Sequence, residues 1–241
     1  MKNVVVIRCF QEGLDRIPES YSLVAIDVIR ATTTAVTAVI AGRQCYPAAN
    51  LPAAKELAAS LVDPLLVGEV SGIRPTGFHM NNSPAELSER PDKRPIILLS
   101  SSGTQLMDRI RNRPRGYIAC FRNWTATIRA LLTENRSVTL IGAGTRGCFR
   151  EEDQMCAAWI AGGLIERGYL AGDSTTEQLI GRWKFAQPRD FLVSDSVSYL
   201  QRSNQIRDLE FILSHFDDVD SAFKIVGDRI VEAITMGVGK C

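Results

Sequence analysis

Three acidic positions interrupt a sequence that otherwise alternates apolar runs with small or hydroxyl-bearing clusters: Asp27, Glu69 and the run Glu151-Glu152-Asp153. Asp27 ends an apolar stretch that begins at Leu23, and a carboxylate buried there without a partner would be strongly destabilising. It therefore requires Arg30, a metal ion or a group on a substrate. Carboxylates from separated segments, joined by phosphate oxygens, make the hard-oxygen environment that Mg²⁺ prefers. For Glu151 the plainer role is available too, since acidic residues in a first helical turn complement the helix dipole.

Around these acids lie clusters suited to phosphate. They are Asp27-Val28-Ile29-Arg30-Ala31-Thr32-Thr33-Thr34, Gly68-Glu69, Ser100-Ser101-Ser102-Gly103-Thr104, Phe121-Arg122-Asn123 and Gly142-Ala143-Gly144-Thr145-Arg146-Gly147. Glycine admits close backbone approach, hydroxyls donate hydrogen bonds, and a helix N-terminus adds about half a positive charge. Any one cluster reads simply as a helix N-cap. Their recurrence after successive apolar runs, where loops of an open α/β sheet gather at the carboxyl ends of strands, is the stronger signal.

The elements that would carry these clusters follow from periodicity. Short β-rich runs occur at Val4–Cys9, Leu23–Val28, Gln44–Pro47, Leu65–Val67, Ile96–Leu99, Tyr117–Cys120 and Val138–Ile141. Several are apolar at successive positions, as expected of strands covered on both faces. Helical spacing marks Thr33–Ala41, Leu51–Leu61, Gln105–Asn112, Asn123–Thr133 and Glu151–Arg167. The pattern predicts an α/β fold with a mostly parallel or mixed sheet flanked by helices. The 241 residues form a single enzyme unit, as one domain or two lobes, with residues 1–168 a βα core carrying the site motifs. Residues 174–241 read as a mainly helical cover, although Ile225 to Val231 could be two short strands about a Gly-Asp turn. The stretch Val70–Pro95 shows no clear period.

Lys and Arg number 28 against 27 Asp and Glu, so no net field draws the protein to nucleic acid or to an anionic membrane, and an anion must be held locally. No apolar run reaches the ~18 residues of a membrane helix. The apolar run at the N-terminus is too short for a secretory signal and reads as a first strand. The six cysteines, Cys9, Cys45, Cys120, Cys148, Cys156 and Cys241, contain no C-x-x-C pair and read as reduced thiols in a cytoplasmic protein, mostly small buried hydrophobes. With only two histidines, His79 and His215, a polyhistidine metal site is disfavoured; His79, in the long loop after Glu69, is the one with a chance of serving as acid, base or ligand.

At these residues the chain resembles the 2-phosphosulfolactate phosphatase family. The matching segments run in order: Asp27-x-x-Arg30-Ala31-Thr32, Gly68-Glu69, Gly72, Gly77-Phe78, Asn82-Ser83-Pro84, Gly103-Thr104, Asn123, Ala143-Gly144-x-x-Gly147 and Glu152-Asp153-x-x-Cys156. The likeness departs at His79, where an Asp is expected, at Asn81 for Gly, and at Ser102 for Asn, which bears on substrate more than on fold. The resemblance implies a Mg²⁺-dependent phosphoric monoester hydrolase of coenzyme M synthesis, converting 2-phosphosulfolactate to 3-sulfolactate and phosphate. Its partner is then a small anionic phosphate ester, with neither nucleic acid nor membrane involved and a homo-oligomer left open.

On that reading Asp27, Arg30, Glu69 and Asp153 are catalytic, and Asp27, Glu69, Asp153 and Glu152 hold Mg²⁺ directly or through waters. Arg30 clamps phosphate oxygens with help from Thr32, Thr33, Ser102, Gly103, Thr104, Asn123, Gly144 and Arg146. Direct attack by a metal-activated water and an aspartyl-phosphate at Asp27 both remain open. Arg146 or Arg74 could meet a second anionic group such as a sulfonate. Two other readings compete. Gly142 to Gly147 fits the G-x-G-x-x-G of a dinucleotide-binding oxidoreductase, although its placement late in the chain and the lack of an acid ending the next strand count against it. The His79 and Ser102 departures suit a catalytically silent anion-binding homologue.

Overall fold

The computed structural model describes residues 2–10, 12–144 and 148–233, so the expectations for Arg146 and Cys241 lie outside the described residues. Among the described residues ten strands form one mixed sheet: β1 (Val4–Cys9), β2 (Ser22–Ile26), β3 (Cys45–Ala48), β4 (Leu65–Gly68), β5 (Ile96–Leu99), β6 (Gly116–Ala119), β7 (Val138–Gly142), β8 (Leu170–Ala171), β9 (Ala222–Val226) and β10 (Arg229–Ala233). Nine α-helices flank it: α1 (Ala31–Ile40), α2 (Leu51–Ser60), α3 (Pro84–Glu89), α4 (Gly103–Ile110), α5 (Trp124–Glu134), α6 (Glu151–Ile165), α7 (Ser174–Trp183), α8 (Asp195–Arg202) and α9 (Ile206–Ser214) among the described residues.

The strand order is β4-β5-β3-β10-β9-β6-β2-β7-β1-β8. Within β4-β5-β3 and within β6-β2-β7-β1-β8 every pairing is parallel. The β9–β10 hairpin, turning at Gly227-Asp228, lies between them and pairs antiparallel on both sides. Three antiparallel steps reverse the chain sense, so the two parallel groups run in opposite directions. The chain after Ser174 is thus helical only as far as Ser214, after which it re-enters the sheet and joins its halves. A twist of about 20–25° per strand, accumulated over the four steps from β2 to β3, turns one parallel group by roughly a quarter turn against the other.

Burial explains the strands. Every residue of β2, β5, β6 and β7 is buried, matching their continuous apolar character. The main core runs under both groups, while Tyr46, Ala48, Ile97 and Leu99 form a second patch with Phe78 beneath α2. Helix α1 is unusual in composition, since Thr32, Thr33, Thr34 and Thr37 are poor helix formers, yet its first eight residues are all buried. Hydroxyl-to-carbonyl bonds from Thr33 to Val28 and from Thr37 to Thr33, at 2.8 and 2.7 Å, satisfy two of these polar side chains. Helix α3, which lacks a periodic stripe in sequence, starts through the Ser83 cap on Glu86 N–H and Pro84 in the first turn.

The hairpin's role in joining the sheet is testable at Phe223, wholly buried in β9. Phe223→Ala is expected to cost about 3–5 kcal/mol and to lower the melting temperature by roughly 10 °C. Val226→Ala, at a half-exposed position of the same strand, should cost under about 1 kcal/mol. Equal thermal melts for the two variants would mean that the hairpin is peripheral to stability.

Candidate active site

The loops after β2, β4 and β5 line one cavity of about 520 Å³, with Asp27, Glu69 and Ser100 to Ser102 on its wall. Two glycines make this convergence possible. A Cβ on Gly68 would stand 2.3 Å from the Leu99 carbonyl oxygen, so only glycine lets β4 turn against β5 just before Glu69. A Cβ on Gly103 would stand 2.1 Å from Asp27 Oδ2, so the start of α4 closes directly onto the Asp27 carboxylate.

Asp27 is 8 % exposed. Its Oδ1 accepts Ala31 N–H at 3.3 Å and so caps α1, for which Arg30 offers no side-chain cap. Burial pushes its acid up to about 7, against the pull of the Ala31 hydrogen bond; the charges of Glu69 and Glu152 raise it further and Arg30 opposes them. Asp153, whose Oδ1 accepts Val28 N–H at 2.8 Å, lies well above the ordinary carboxylate range through burial first and then the charges of Asp27 and Glu152. Glu152 is likewise raised by burial, with Ser196 and Ser194 hydroxyls opposing, and its Oε2 has no hydrogen-bond partner among the described residues. The four expected acids are therefore neighbours, but only Asp27 and Glu69 face the cavity. Asp153 and Glu152 stand behind Asp27, at the buried first turn of α6.

Glu69 is held by three donors: Ser101 N–H at 2.7 Å on Oε1, and Ser101 Oγ at 2.9 Å and Gly72 N–H at 2.5 Å on Oε2. Among the described residues no three Asp, Glu, His or Cys side chains gather closely enough to cage an ion by themselves. The donor chemistry nevertheless fits Mg²⁺, which commonly takes one or two carboxylates and fills its remaining positions with water and substrate oxygens. Asp27, Asp153 and Glu152 are all raised, chiefly by burial, and Glu152 keeps an orphan oxygen; that is an electrostatic deficit of the kind a divalent cation relieves.

Several residues expected at the ligand are instead committed to the scaffold. Arg30 Nη1 bonds Asp208 Oδ2 at 2.5 Å and Gln205 Oε1 at 2.6 Å, in an ion pair whose side chains are 4 % and 3 % exposed. Asp208 Oδ1 meanwhile accepts Ser83 Oγ and Ala85 N–H. Arg30 lines the cavity, but its charge is neutralised from α9 rather than left free for phosphate. The Thr32 hydroxyl bonds the Asp27 backbone, the Thr33 hydroxyl bonds Val28 O, and Thr104 exchanges bonds with Ser100. Asn123 is buried against Cys120 and Thr127, away from the cavity. Gly144 takes a φ of 60° just before undescribed residues. His79 and Arg74 sit exposed along edge strand β4, with His79 Nδ1 accepting Leu66 N–H and Arg74 bonding His79 O. Cys156 is fully buried and its thiol is pushed up by that burial, which suits packing.

Other cavity residues carried no legible sequence signal. Arg150, Asp195, Ser196, Tyr199 and Arg202 come from the start of α6 and from α8, and Ser71 and Asn82 from the stretch without period. Tyr199 Oη donates to Gly72 O at 2.8 Å, which ties α8 to the loop holding Glu69. The first glycine of the fingerprint has a packing explanation, because a Cβ on Gly142 would fall 2.0 Å from Cε2 of the Phe149 ring. Asp173, the acid nearest the end of β8, caps α7 and pairs with Arg8.

A family model described as 2-phosphosulpholactate phosphatase matches residues 11–228. Among similar proteins, a "Probable 2-phosphosulfolactate phosphatase" of Pseudothermotoga lettingae is 37 % identical over 175 residues, covering 72 % of this chain and 74 % of that protein. One of the same name from Synechococcus sp. is 30 % identical over 220 residues, covering 86 % and 90 %. Another from Symbiobacterium thermophilum is 37 % identical over 153 residues, covering 62 % and 63 %. No described helix is long and apolar enough to cross a membrane.

Two outcomes test this geometry. Because the folded state raises Asp27 from 3.8 to about 7, it binds that proton more tightly than the unfolded chain does. The resulting stabilisation is complete below about pH 4 and is lost as pH rises through about 7. Metal-free protein should therefore melt at falling temperature between pH 5 and 8 on the order of several degrees, and Asp27→Asn should flatten that decline. Identical pH profiles for parent and variant would contradict the assignment. Asp208→Ala, which strands the Arg30 charge, should cost about 3–5 kcal/mol in chemical denaturation.

Proposed function

This chain belongs to the 2-phosphosulpholactate phosphatase family, and on that premise we propose that it is a Mg²⁺-dependent hydrolase of a small phosphate monoester. Its substrate, on this proposal, is 2-phosphosulfolactate, cleaved to 3-sulfolactate and phosphate. The observation that carries the reading is the pairing of two cavity-facing carboxylates, Asp27 and Glu69, with a hydroxyl-rich loop at the start of α4.

Asp27 and Glu69 would hold the ion, and Asp153 and Glu152 would sustain the negative potential behind them. Bound there, Mg²⁺ would neutralise charge on phosphate oxygens and lower the pKa of a water. The remaining work falls to the chain itself. Ser101 and Gly72 fix the Glu69 carboxylate through three hydrogen bonds, so it meets a ligand already oriented. The Ala31 N–H and the Gly103 backbone hold Asp27 from two sides. Ser102, on the cavity wall at the start of α4, provides a donor for phosphate oxygens beside the two acids. Helix α8, latched by Tyr199 to Gly72, walls the cavity and limits competing water.

The decisive assay is release of inorganic phosphate from 2-phosphosulfolactate by the purified chain with and without Mg²⁺. Release is expected with Mg²⁺ and not with a chelator, and Asp27→Asn or Glu69→Gln should lower kcat by about 100-fold or more with the fold intact by circular dichroism. Independently of turnover, Mg²⁺ should raise the melting temperature of the parent at pH 8 more than that of Asp27→Asn. Near-normal turnover in either variant would remove that residue from the proposal.

A further inference from the structure

The cavity carries three arginines in three different states. Arg30 is spent on the buried pair with Asp208. Arg150, at the start of α6, gives Nη1 to Asp195 Oδ2 at 2.8 Å, but the Asp195 side chain is 81 % exposed and Arg150 Nε is buried with no acceptor among the described residues. Arg202, the last residue of α8, has no hydrogen bond or ion pair among the described residues, yet it lines the cavity with Asp27 and Glu69. Two guanidinium groups with unused donors therefore border a site whose acids would repel any anion that arrives without a metal.

We propose that Arg202, together with Arg150, forms a second anion subsite that reads an acidic group on the substrate other than the transferring phosphate. The proposed substrate carries two such groups, a sulfonate and a carboxylate, and the subsite takes one of them. This rests on reading the cavity as a phosphatase site. The division of labour follows from charge. A phosphate reaches Asp27 and Glu69 only in company with a cation, whereas a group that ligates no metal is drawn to the guanidinium side of the cavity. The planar fork of each guanidinium, with five N–H donors, matches two oxygens of a carboxylate or sulfonate. An ion pair such as Arg150–Asp195, whose acid is exposed, is weak, so an incoming anion displaces Asp195 from Arg150 Nη1 at little cost. Arg202 is exposed, so its removal breaks no hydrogen bond or ion pair among the described residues and a variant there reports on the ligand rather than on folding.

The test compares KM for three esters: 2-phosphosulfolactate, 2-phospholactate, which keeps the carboxylate and lacks the sulfonate, and p-nitrophenyl phosphate, which lacks both. Arg202→Ala should raise KM for 2-phosphosulfolactate by about 10–100-fold and for p-nitrophenyl phosphate by a far smaller factor. Arg202→Lys should recover part of the loss. A matching rise with 2-phospholactate identifies the carboxylate as the group read, and a rise confined to 2-phosphosulfolactate identifies the sulfonate. An equal rise for all three esters would place Arg202 on the transferring phosphate and overturn the proposal, as would no rise at all. Should the parent hydrolyse none of them, the phosphatase reading fails, and calorimetric binding of 3-sulfolactate against lactate then judges the subsite alone. Binding of 3-sulfolactate that weakens about tenfold or more in Arg202→Ala upholds the subsite, and equal affinity in parent and variant overturns it.

Discussion

The carboxylate of Asp27 is enclosed by the Gly103 backbone on one side and by the acids of α6 on the other, with Glu69 across the cavity. Burial, reinforced by neighbouring acidic charges, raises the proton affinity of Asp27 at the end of β2 and of Glu152 and Asp153 at the first turn of α6. The surrounding structure holds the acids rather than neutralising them. Ala31, Val28, Ser101 and Gly72 all donate backbone N–H groups to carboxylate oxygens, which fixes their orientation while their charge stays available.

The two acids that face the cavity come from strand groups that run in opposite directions. A single parallel sheet would present all its carboxyl ends along one edge. Here the groups β4-β5-β3 and β6-β2-β7-β1-β8 run oppositely, and the β9–β10 hairpin supplies the antiparallel steps between them. The helices after Ser174 then bridge the cavity. Asp208 of α9 neutralises Arg30 and caps the start of α3, Tyr199 of α8 grips Gly72, and Arg150 reaches Asp195. The region after Ser174 thereby sets the cavity's outer wall, with Arg202 on it.

The elements were legible where period and burial agree. Strand Val4–Cys9 and strand Ile96–Leu99 have the bounds their apolar runs predict, and the turn at Gly227-Asp228 does separate two strands. Helix α3 was not legible, because six residues are too few to show a stripe and its signals are a serine cap and a proline. The short β8 was hidden for the same reason, being two residues that pair only with β1.

Family membership, the alternation of βα units and the placing of Asp27 and Glu69 at strand ends were written in the sequence, because a carboxylate at the end of an apolar run and a glycine before an acid are local signals. Which of the other polar residues face a ligand was decided by tertiary structure alone. Thr32, Thr33, Thr104 and Asn123 have the right chemistry for phosphate but spend their side chains on nearby backbone or neighbouring side chains, since a buried hydroxyl or amide takes the closest partner. Arg30 meets its counter-ion 178 residues away, and Arg202 meets none among the described residues. A partner that arrives from such a distance in the chain leaves no mark on the residues next to it, so the availability of a charge becomes known only when the chain is folded.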